Sequence, residues 1–281
     1  MQQQAVECRF ASSDSWVILS PIEQSIKQKI DTIGTPLKDW NINIYRGVLT
    51  GYNDAFIIST EKRNEILANC QTEDERTRTA ELIRPILRGR DIKRYSYDWA
   101  NLWLINTHNG IKGKIPRIQI ENYPAIKAHL DQYWEKISTR ADKGDTPYNL
   151  RNCAYMEDFS KPKIVWGNLN LTPNYALVEN NSFINAPSSM IVPASKYLLA
   201  ILNSKIADFY IKLLGVTRNG GYFEYKPMFI EQLPIPQLKI ENKELAQIER
   251  LIDNNNYTEI EYIVYNLYGL TQDEINYINS L

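Results

Sequence analysis

The sequence predicts a mixed α+β fold, with twisted β-sheets and packed helices, that ends in a helical tail. Short segments rich in β-branched and aromatic residues mix with amphipathic helical segments, without the regular strand–helix–strand order of an α/β protein. The chain has 281 residues, 43% of them hydrophobic, which is enough to enclose a sizeable core. We expect one domain over residues 1–240 and an acidic helical tail over 241–281, joined by the stretch QLPIPQLKI.

The first helices are indicated by their starting residues. Residues 20–23 (SPIE) form a capping box with proline at the first helical position, and the apolar stripe that follows ends at Gly34. Thr72 precedes an acidic turn and predicts a helix that must end before Pro85. Pro124 predicts the start of a third helix, with Ile126, Leu130, Tyr133 and Ile137 on one face.

The later helices have stronger signals. The segment KYLLAILNSKIADFYIKLLG has a wide apolar face and predicts one long helix that Gly215 closes. Two further capping boxes, Thr258 with Glu261 and Thr271 with Glu274, predict the helices of the tail.

Strands are predicted from β-branched and aromatic runs bounded by Gly, Pro and Asn. These runs are NIYRGVL, DAFIIS, NLWLINT, PKIVWGNL, YALVE and SSMIVP. The first two predict a hairpin whose tip exposes Thr50, Tyr52, Asn53 and Asp54, with Arg46 near its base. A phosphate-binding loop needs several glycines that lead into a helix, and this turn has one. An ordinary turn and a polar contact surface both remain open for it.

Cysteine content and hydropathy indicate a cytoplasmic protein. Cys8, Cys70 and Cys153 lack the spacing of a metal or redox site, which suits a reducing compartment. No apolar run approaches the roughly 20 residues of a membrane span, so we expect no membrane partner. The start MQQQAVECRF lacks the basic and apolar blocks of a signal peptide.

The distribution of charge permits a nucleic-acid partner. Residues 241–281 have a net charge of −6, which leaves +5 on the first 240 residues of a chain whose total is −1. The segment RPILRGRDIKRY, residues 84–95, alone has a net charge of +4. Gly89 interrupts any helix there, so we expect these cations to project from a turn and not to line one face of a helix. Arginine beside tyrosine suits phosphate binding, guanine contact or base stacking. We favour binding over a merely solvated turn.

Two further clusters extend this pattern. Lys112, Lys114 and Arg117 lie on a loop spaced by glycines. In GVTRNGGYFEYKP, residues 215–227, the cations and tyrosines predict an edge suited to a sugar–phosphate backbone, although an ordinary strand with one buried face has the same pattern.

Signals for catalysis are weak. Residues 224–226 and 241–243 fit the Glu-x-Lys half of a nuclease metal site, but no acidic partner on a strand is visible upstream. DTPY, residues 145–148, is similar to the Asp-Pro-Pro-Tyr loop of amino-methyltransferases, but it has threonine for the first proline and no glycine-rich cofactor strand before it. We interpret it as a turn. His108 and His129 are too few and too far apart for a metal site or a triad.

Six segments in order resemble the TaqI-like C-terminal specificity domain. This domain is the target-recognition part of single-chain restriction-modification enzymes and of BREX-type adenine methyltransferases of phage defence. The resemblance extends over nearly the whole chain. The segments are IYRGVLTGYNDAFII, IRPILRGRDIKRY, GDTPYNLRNCAYMEDFSKPKIVWGNL, YLLAILNSKIADFYI, RNGGYFEYKPMFIEQLPIP and VYNLYGLTQDEI.

The resemblance implies a target-recognition fold that lies along the major groove of double-stranded DNA, while a partner domain flips and methylates an adenine. That methyltransferase domain of the same parent polypeptide, with its Asn-Pro-Pro-Tyr motif, is expected upstream, often with a nuclease. This chain then looks like the recognition half alone. S-adenosylmethionine and Mg²⁺ are expected only in those catalytic domains, with no cofactor and no metal in this chain.

The resemblance also assigns candidate DNA-binding residues. The main set comprises Arg46, Thr50, Tyr52, Asn53, Arg88, Arg90, Lys93 and Arg94, and a second set comprises Arg218, Tyr222 and Lys226. Base readout is expected in the loops 106–117, 139–152 and 166–183, which hold Asn106, Asn109, Lys112, Lys114, Arg140, Arg151, Asn168 and Asn170.

The sequence thus predicts a sequence-specific duplex-DNA recognition domain without catalytic activity of its own. Two alternatives stay open. One is a Mg²⁺-dependent nuclease that uses Glu224 and Lys226. The other is a scaffold that docks on a methyltransferase subunit through the helices over 197–214 and 258–278.

Overall fold

The computed structural model describes residues 19–179, 181–215, 217–238 and 243–281. The helices there are α1 (Pro21–Ile33), α2 (Asn53–Phe56), α3 (Thr60–Ala68), α4 (Glu73–Leu82), α5 (Pro124–Asp131), α6 (Trp134–Thr139), α7 (Lys196–Leu202), α8 (Lys205–Leu214), α9 (Pro227–Ile230), α10 (Lys243–Asp253), α11 (Tyr257–Leu267) and α12 (Gln272–Ser280). The strands are β1 (Thr35–Pro36), β2 (Asn43–Arg46), β3 (Ile57–Ser59), β4 (Ile83–Leu87), β5 (Leu102–Ile105), β6 (Lys163–Trp166), β7 (Leu169–Asn170), β8 (Tyr175–Val178), β9 (Phe183–Ile184), β10 (Ser189–Val192), β11 (Phe223–Glu224) and β12 (Pro234–Ile235). The predicted mixed α+β class with a helical tail is confirmed.

The described residues form two compact units, each assembled from separate stretches of chain. We call residues 43–168 and 174–194 the sheet unit, and the remaining described residues the helical unit. The predicted tail helices belong to the helical unit together with α1. The predicted boundary at residue 240 lies within 239–242, outside the described residues, and the division into 1–240 and 241–281 stays a prediction.

Two four-stranded sheets organise the sheet unit. The first has the strand order β2–β10–β6–β8 and is antiparallel throughout. The second has the order β3–β5–β4–β9, in which β4 and β9 run parallel. Every side chain of β6 and β10 is buried, which shows that this part of the sheet is covered on both faces, because successive side chains point to opposite faces. The largest fully buried side chains of this unit are Trp166, Tyr175, Phe56 and Phe159.

The helical unit packs α1 and α7 to α12 with two short ribbons, β1–β12 and β7–β11. Two buried tyrosines satisfy backbone groups after α9: Tyr268 donates to the Pro234 carbonyl and Tyr197 to the Pro236 carbonyl, each at 2.7 Å. Burial of these hydroxyls raises the pKa of both groups. Among the helices described, none is both long enough and apolar enough to cross a bilayer.

Helix starts were predicted better than helix continuity. The capping boxes of α1 at Ser20 and of α12 at Thr271 are confirmed by both of their hydrogen bonds. The predicted box at Thr258 is wrong, because α11 begins at Tyr257 and its N-cap is Asn256, two residues before Thr258. The long helix predicted over 196–214 is two helices, since the Ser204 side chain accepts from the Ala207 N–H and starts α8. The helix predicted from Pro124 also ends early, at Asp131, before α6.

Candidate nucleic-acid interface

The cationic turn, residues 88–94, follows β4 in the sheet unit. The Arg88 guanidinium donates to the Asp91 carboxylate from Nε at 3.0 Å and from Nη2 at 2.7 Å, and the Arg88 backbone N–H donates to it as well. Asp91 is only 5% exposed. The hydrogen bond to Asp91 raises the pKa of Arg88. Arg88 therefore fixes the shape of the turn, and its charge is largely neutralised there.

Three other cations of the turn, Arg90, Lys93 and Arg94, are exposed. Lys93 Nζ donates to the Arg90 carbonyl at 3.0 Å, and the Arg94 guanidinium lies 5.2 Å from the centre of the Tyr95 ring. Tyr95 adopts a left-handed φ of 64°, and its N–H donates to the Tyr175 carbonyl in β8 at 2.8 Å. The exposed cations thus project from a backbone that is held at both ends.

A contact between two glycines positions this turn against the first sheet. A Cβ atom at Gly89 would lie 3.3 Å from the Cα atom of Gly167 and 3.1 Å from Ser188 Oγ. Gly167 follows β6 and Ser188 precedes β10, so both lie at one end of the sheet. At that end Ser189 pairs with Arg46 of β2. The cationic turn and Arg46 therefore lie at the same end of the sheet.

Arg46 presents an unengaged cation at this position. Its side chain is exposed, and its guanidinium makes no hydrogen bond or ion pair with any other residue that the structure describes. Its backbone is held in place, because the Tyr155 hydroxyl donates to the Arg46 carbonyl at 3.0 Å. The Tyr155 ring also stacks on Tyr45, with ring centres 4.1 Å apart and planes 5° from parallel.

The segment after Arg46 is not the predicted hairpin. Strands β2 and β3 belong to different sheets, and residues 53–56 form helix α2, which buries Ala55 and Phe56. Thr50 is only 2% exposed and donates to Asn53 Oδ1 at 2.6 Å, so its predicted exposure is wrong. Tyr52 is half-buried, whereas Asn53 is exposed.

Arg140 is an interior residue. Its guanidinium donates to the Thr50 carbonyl and the Asn149 carbonyl, each at 2.6 Å, and to the Pro147 carbonyl at 3.1 Å. It also lies 4.2 Å from the centre of the Phe56 ring. Burial lowers the pKa of Arg140 to about 10, so the group stays charged at neutral pH. These contacts contradict the prediction that Arg140 is available to a base edge. Arg140 instead connects the loop at Thr50 with the loop at 147–149 through hydrogen bonds.

Loops of the sheet unit enclose a cleft, which we call the loop cleft. Its larger part has a volume of about 840 Å³ and its smaller part about 210 Å³. The two parts share Asn152 and Cys153, so they adjoin. The lining residues are 109–117, Asp145 and 152–154 in the larger part, and 46–49, 151–153 and Tyr155 in the smaller part. Two of the predicted readout loops, 106–117 and 139–152, therefore meet here beside Arg46.

Most cations of the loop cleft carry their own acidic partner. Arg151 pairs with Asp142 at 2.9 Å, and Lys114 pairs with Glu157. Arg117 pairs with Asp145 at 3.3 Å. Lys112 is exposed and, within the described ranges, forms no ion pair. Exposed pairs of this kind contribute little to the stability of the fold, about 0–1 kcal/mol each.

Asn168 lies close to the cationic turn, next to Gly167. Its side chain is half-buried, and its Oδ1 atom accepts from Ser189 Oγ at 3.0 Å. The amide nitrogen thus remains as a donor at the sheet end that also holds Arg46.

The second predicted set, Arg218, Tyr222 and Lys226, lies in the helical unit. Arg218 Nε donates to Glu224 Oε1 at 2.5 Å, and Lys226 Nζ lies 2.7 Å from Glu224 Oε2. Glu224 is 6% exposed, and hydrogen bonds from Lys226 and Arg218 lower its pKa. Both cations remain about half exposed, and Tyr222 is 40% exposed. The three residues lie together in the structure, and the Glu224 carboxylate neutralises part of the charge of the two cations, Arg218 and Lys226.

Of the two Glu-x-Lys patterns that fit a nuclease metal site, the structure describes the one at residues 224–226 in full. In residues 224–226 the carboxylate is engaged by two cations, an arrangement typical of a structural ion cluster. Residues 241–242 lie outside the described residues. In the part of the chain that is described, no three His, Cys, Asp or Glu side chains are grouped to hold a metal ion.

The sequence predicts Asn109 as a candidate for base readout, but it does not indicate the polar network that Asn109 forms with two other lining residues of the loop cleft. Asn109 Nδ2 donates to Asp145 Oδ1 at 3.0 Å and to Asn152 Oδ1, and Asn109 Oδ1 accepts from the Asp145 N–H at 2.8 Å. The turn predicted at 145–148 lies one residue later, over 146–149, where the Asn149 N–H donates to the Thr146 carbonyl at 3.1 Å. The sequence indicates only a turn at Asp145, because the two residues that contact Asp145, Asn109 and Arg117, lie 36 and 28 positions away in the chain.

Comparison with known proteins identifies the type of domain. The model of the TaqI-like C-terminal specificity domain matches residues 84–235. Among curated proteins, the type II methyltransferase M.XhoI of Xanthomonas vasicola is 19% identical over 272 residues, which cover 93% of this chain and 46% of that protein. The chain therefore spans about half the length of this relative.

Two solved structures share the fold. The type IIL restriction-modification enzyme MmeI, solved in complex with DNA, aligns with a TM-score of 0.62 and 13% identity over 88% of this chain and 37% of its own. The type IIG restriction endonuclease BpuSI aligns with a TM-score of 0.58 and 13% identity over 93% of this chain and 32% of its own. The chain thus spans about a third of each enzyme.

Proposed function

Because this chain belongs to the family of TaqI-like C-terminal specificity domains, we propose that it binds double-stranded DNA and recognises a specific sequence in it. The observation that carries the proposal is the meeting of Arg46, the cationic turn and the loop cleft on one unit. Arginine and lysine at a sheet end provide phosphate contacts, and polar side chains in a neighbouring cleft suit base edges. Of the predicted set, Arg46, Arg90, Lys93 and Arg94 are exposed on this unit and support the proposal.

We propose further that the parent protein is a cytoplasmic adenine-N6 methyltransferase of a restriction-modification or phage-defence system. Its methyltransferase domain would be the partner of this chain and would bind S-adenosylmethionine, and this chain would supply recognition without catalysis. M.XhoI, a type II methyltransferase matched over 93% of this chain, supports the proposal. Sequencing the coding region upstream should show a glycine-rich strand and an Asn-Pro-Pro-Tyr motif, and their absence from the parent gene would contradict it.

Salt dependence of binding tests the DNA-binding role. The 281-residue chain should bind a mixed-sequence duplex with an affinity that falls as salt rises, with each phosphate contact contributing about 0.9 to the log–log slope. Replacing both Arg46 and Arg90 with Ala should weaken binding to every sequence and reduce that slope by roughly 2. Fluorescence anisotropy at several salt concentrations measures both quantities.

A matched double variant controls for net charge. Lys62 on α3 and Lys127 on α5 each pair with an acid on their own helix, and neither belongs to the cationic turn or to the lining of the loop cleft. The Lys62→Ala, Lys127→Ala variant removes the same charge and should leave the slope near that of the wild type. Equal effects of the two double variants would show that the cationic turn is only a solvated turn.

A further inference from the structure

Arg117 differs from the other cations of the loop cleft in how firmly its acidic partner is held. Asp145, which accepts from Arg117 Nη1 at 3.3 Å, is itself fixed by Asn109 through a backbone and a side-chain hydrogen bond. The absence of a side chain at Gly144 allows Asn109 to approach this closely, because a Cβ atom there would lie 2.5 Å from Asn109 Oδ1. The Asp145 side chain is 63% exposed, and Asn109 holds it at the wall of the cleft.

The guanidinium of Arg117 is oriented and still has free donors. Nη1 donates to Asp145, and Nη2 lies 3.5 Å from Gln119 Oε1, near the limit of a hydrogen bond. A guanidinium has five N–H donors, so most of them remain for a ligand. The side chain is 30% exposed and lines the larger part of the cleft, where such a ligand has room to enter.

This arrangement suits one base better than the others. Guanine offers two acceptors, O6 and N7, side by side in the major groove, and arginine meets both with parallel donors. A carboxylate that holds the arginine reduces the side-chain freedom lost on binding, and it offsets the positive charge that would favour any phosphate. Lys112 on the same loop has neither feature, and it suits a phosphate instead.

We infer that Arg117, oriented by Asp145, is a specificity-determining residue that recognises one guanine through O6 and N7. The inference rests on the proposed DNA-binding function and assigns one position of the recognised sequence to one side chain. Asp145 and Asn109 act on the base only through Arg117, so they are positioning residues.

Selection from a random duplex pool, followed by binding measurements on single-base variants, tests the inference. Arg117→Lys keeps the charge and should lower discrimination at a single G·C position by about 5- to 150-fold, with the salt slope unchanged. Asp145→Asn should weaken discrimination at the same position and at no other. Lys112→Ala is the matched control on the same loop, and it should weaken all sequences alike.

A change in the DNA makes the test independent of protein folding. Replacing that guanine with 7-deazaguanine removes the N7 acceptor, which should weaken wild-type binding and have little effect on the Arg117→Lys variant. Unchanged base preference in Arg117→Lys, or equal loss in both proteins with 7-deazaguanine, overturns the inference and leaves the proposed function standing. Failure of the wild-type chain to bind any duplex overturns both.

Discussion

Arg88 and Arg90 stand two positions apart in the cationic turn and have different surroundings. Arg88 is a quarter exposed and forms a two-point ion pair with buried Asp91, whereas Arg90 is exposed and, among the described residues, has no ion-pair partner. The two arginines look alike in the sequence RGR, so composition alone does not show that their roles differ. The distinction depends on which guanidinium can reach the carboxylate three residues after Arg88.

Substitution of the two arginines should separate stability from binding. Arg88→Ala leaves the buried Asp91 carboxylate without its cation and should lower the free energy of unfolding by about 3 kcal/mol. Arg90→Ala should change it by less than about 0.5 kcal/mol and should weaken duplex binding. Urea unfolding followed by circular dichroism measures the first effect. Similar stability of the two variants would mean that the Arg88–Asp91 pair does not support the turn.

At the scale of the elements, helices α1 and α12 are joined through a buried carboxylate. Glu274 Oε2 lies 2.6 Å from Lys29 Nζ and accepts from the Thr271 N–H at 2.7 Å, and Oε1 accepts from Ser25 Oγ at 2.7 Å. Burial alone would raise the pKa of Glu274, but these hydrogen bonds outweigh it and hold the pKa at about 2. The same side chain that caps α12 therefore also fastens it to α1.

Stability should fall with acid because of this carboxylate. The pKa of Glu274 is lowered on folding, so its contribution is complete above about pH 4.5 and is lost as pH falls toward about 2, up to about 3 kcal/mol in all. Glu274→Gln should reduce the loss of stability between pH 5 and pH 3, measured by urea unfolding. Glu249→Gln, at an exposed position of α10, is the control and should retain the wild-type pH profile. Identical profiles for all three proteins would show that Glu274 does not titrate as described.

Local signals predicted elements well where one short stretch of chain determines them. Ser20 and Thr271 begin helices because cap and capped groups are three residues apart. The hairpin expected after Arg46 failed for a non-local reason: β2 finds its partner in β10 and β3 finds its partner in β5, both far along the chain. The burial of Arg140 depends on Thr50, 90 positions away, and no spacing in the sequence indicates it.

At the scale of the whole molecule, the sheet unit is nearly continuous in sequence although the helical unit is not. The chain enters the sheet unit at Asn43 and leaves it after residue 194. Asn43 is paired with Val192 across β2 and β10, so the two ends of this unit lie side by side. A unit whose ends adjoin has the geometry of an inserted domain.

Residues 43–194 should fold as an isolated fragment. Both four-stranded sheets lie within this range. The range also contains residues 169–173, which belong to the helical unit, but Leu169 and Leu171 of this stretch are exposed in the whole chain, so its removal from that unit uncovers little new apolar surface. The fragment should unfold cooperatively on heating, followed by circular dichroism. Residues 1–152, a fragment of equal length that lacks β6, β8 and β10, should not. A fragment 43–194 without a cooperative transition would contradict the division into these units.

The paired cations of the loop cleft have a kinetic consequence under the proposed function. Three of its five positive side chains already have an acidic neighbour, so a duplex of arbitrary sequence displaces few mobile ions from them. Such a surface dissociates quickly from the many unrelated sites of a genome. The protein stays bound only where the base edges present the matching hydrogen-bond acceptors. The search for a target site is then shorter, although the attraction of the protein to DNA in general is no stronger.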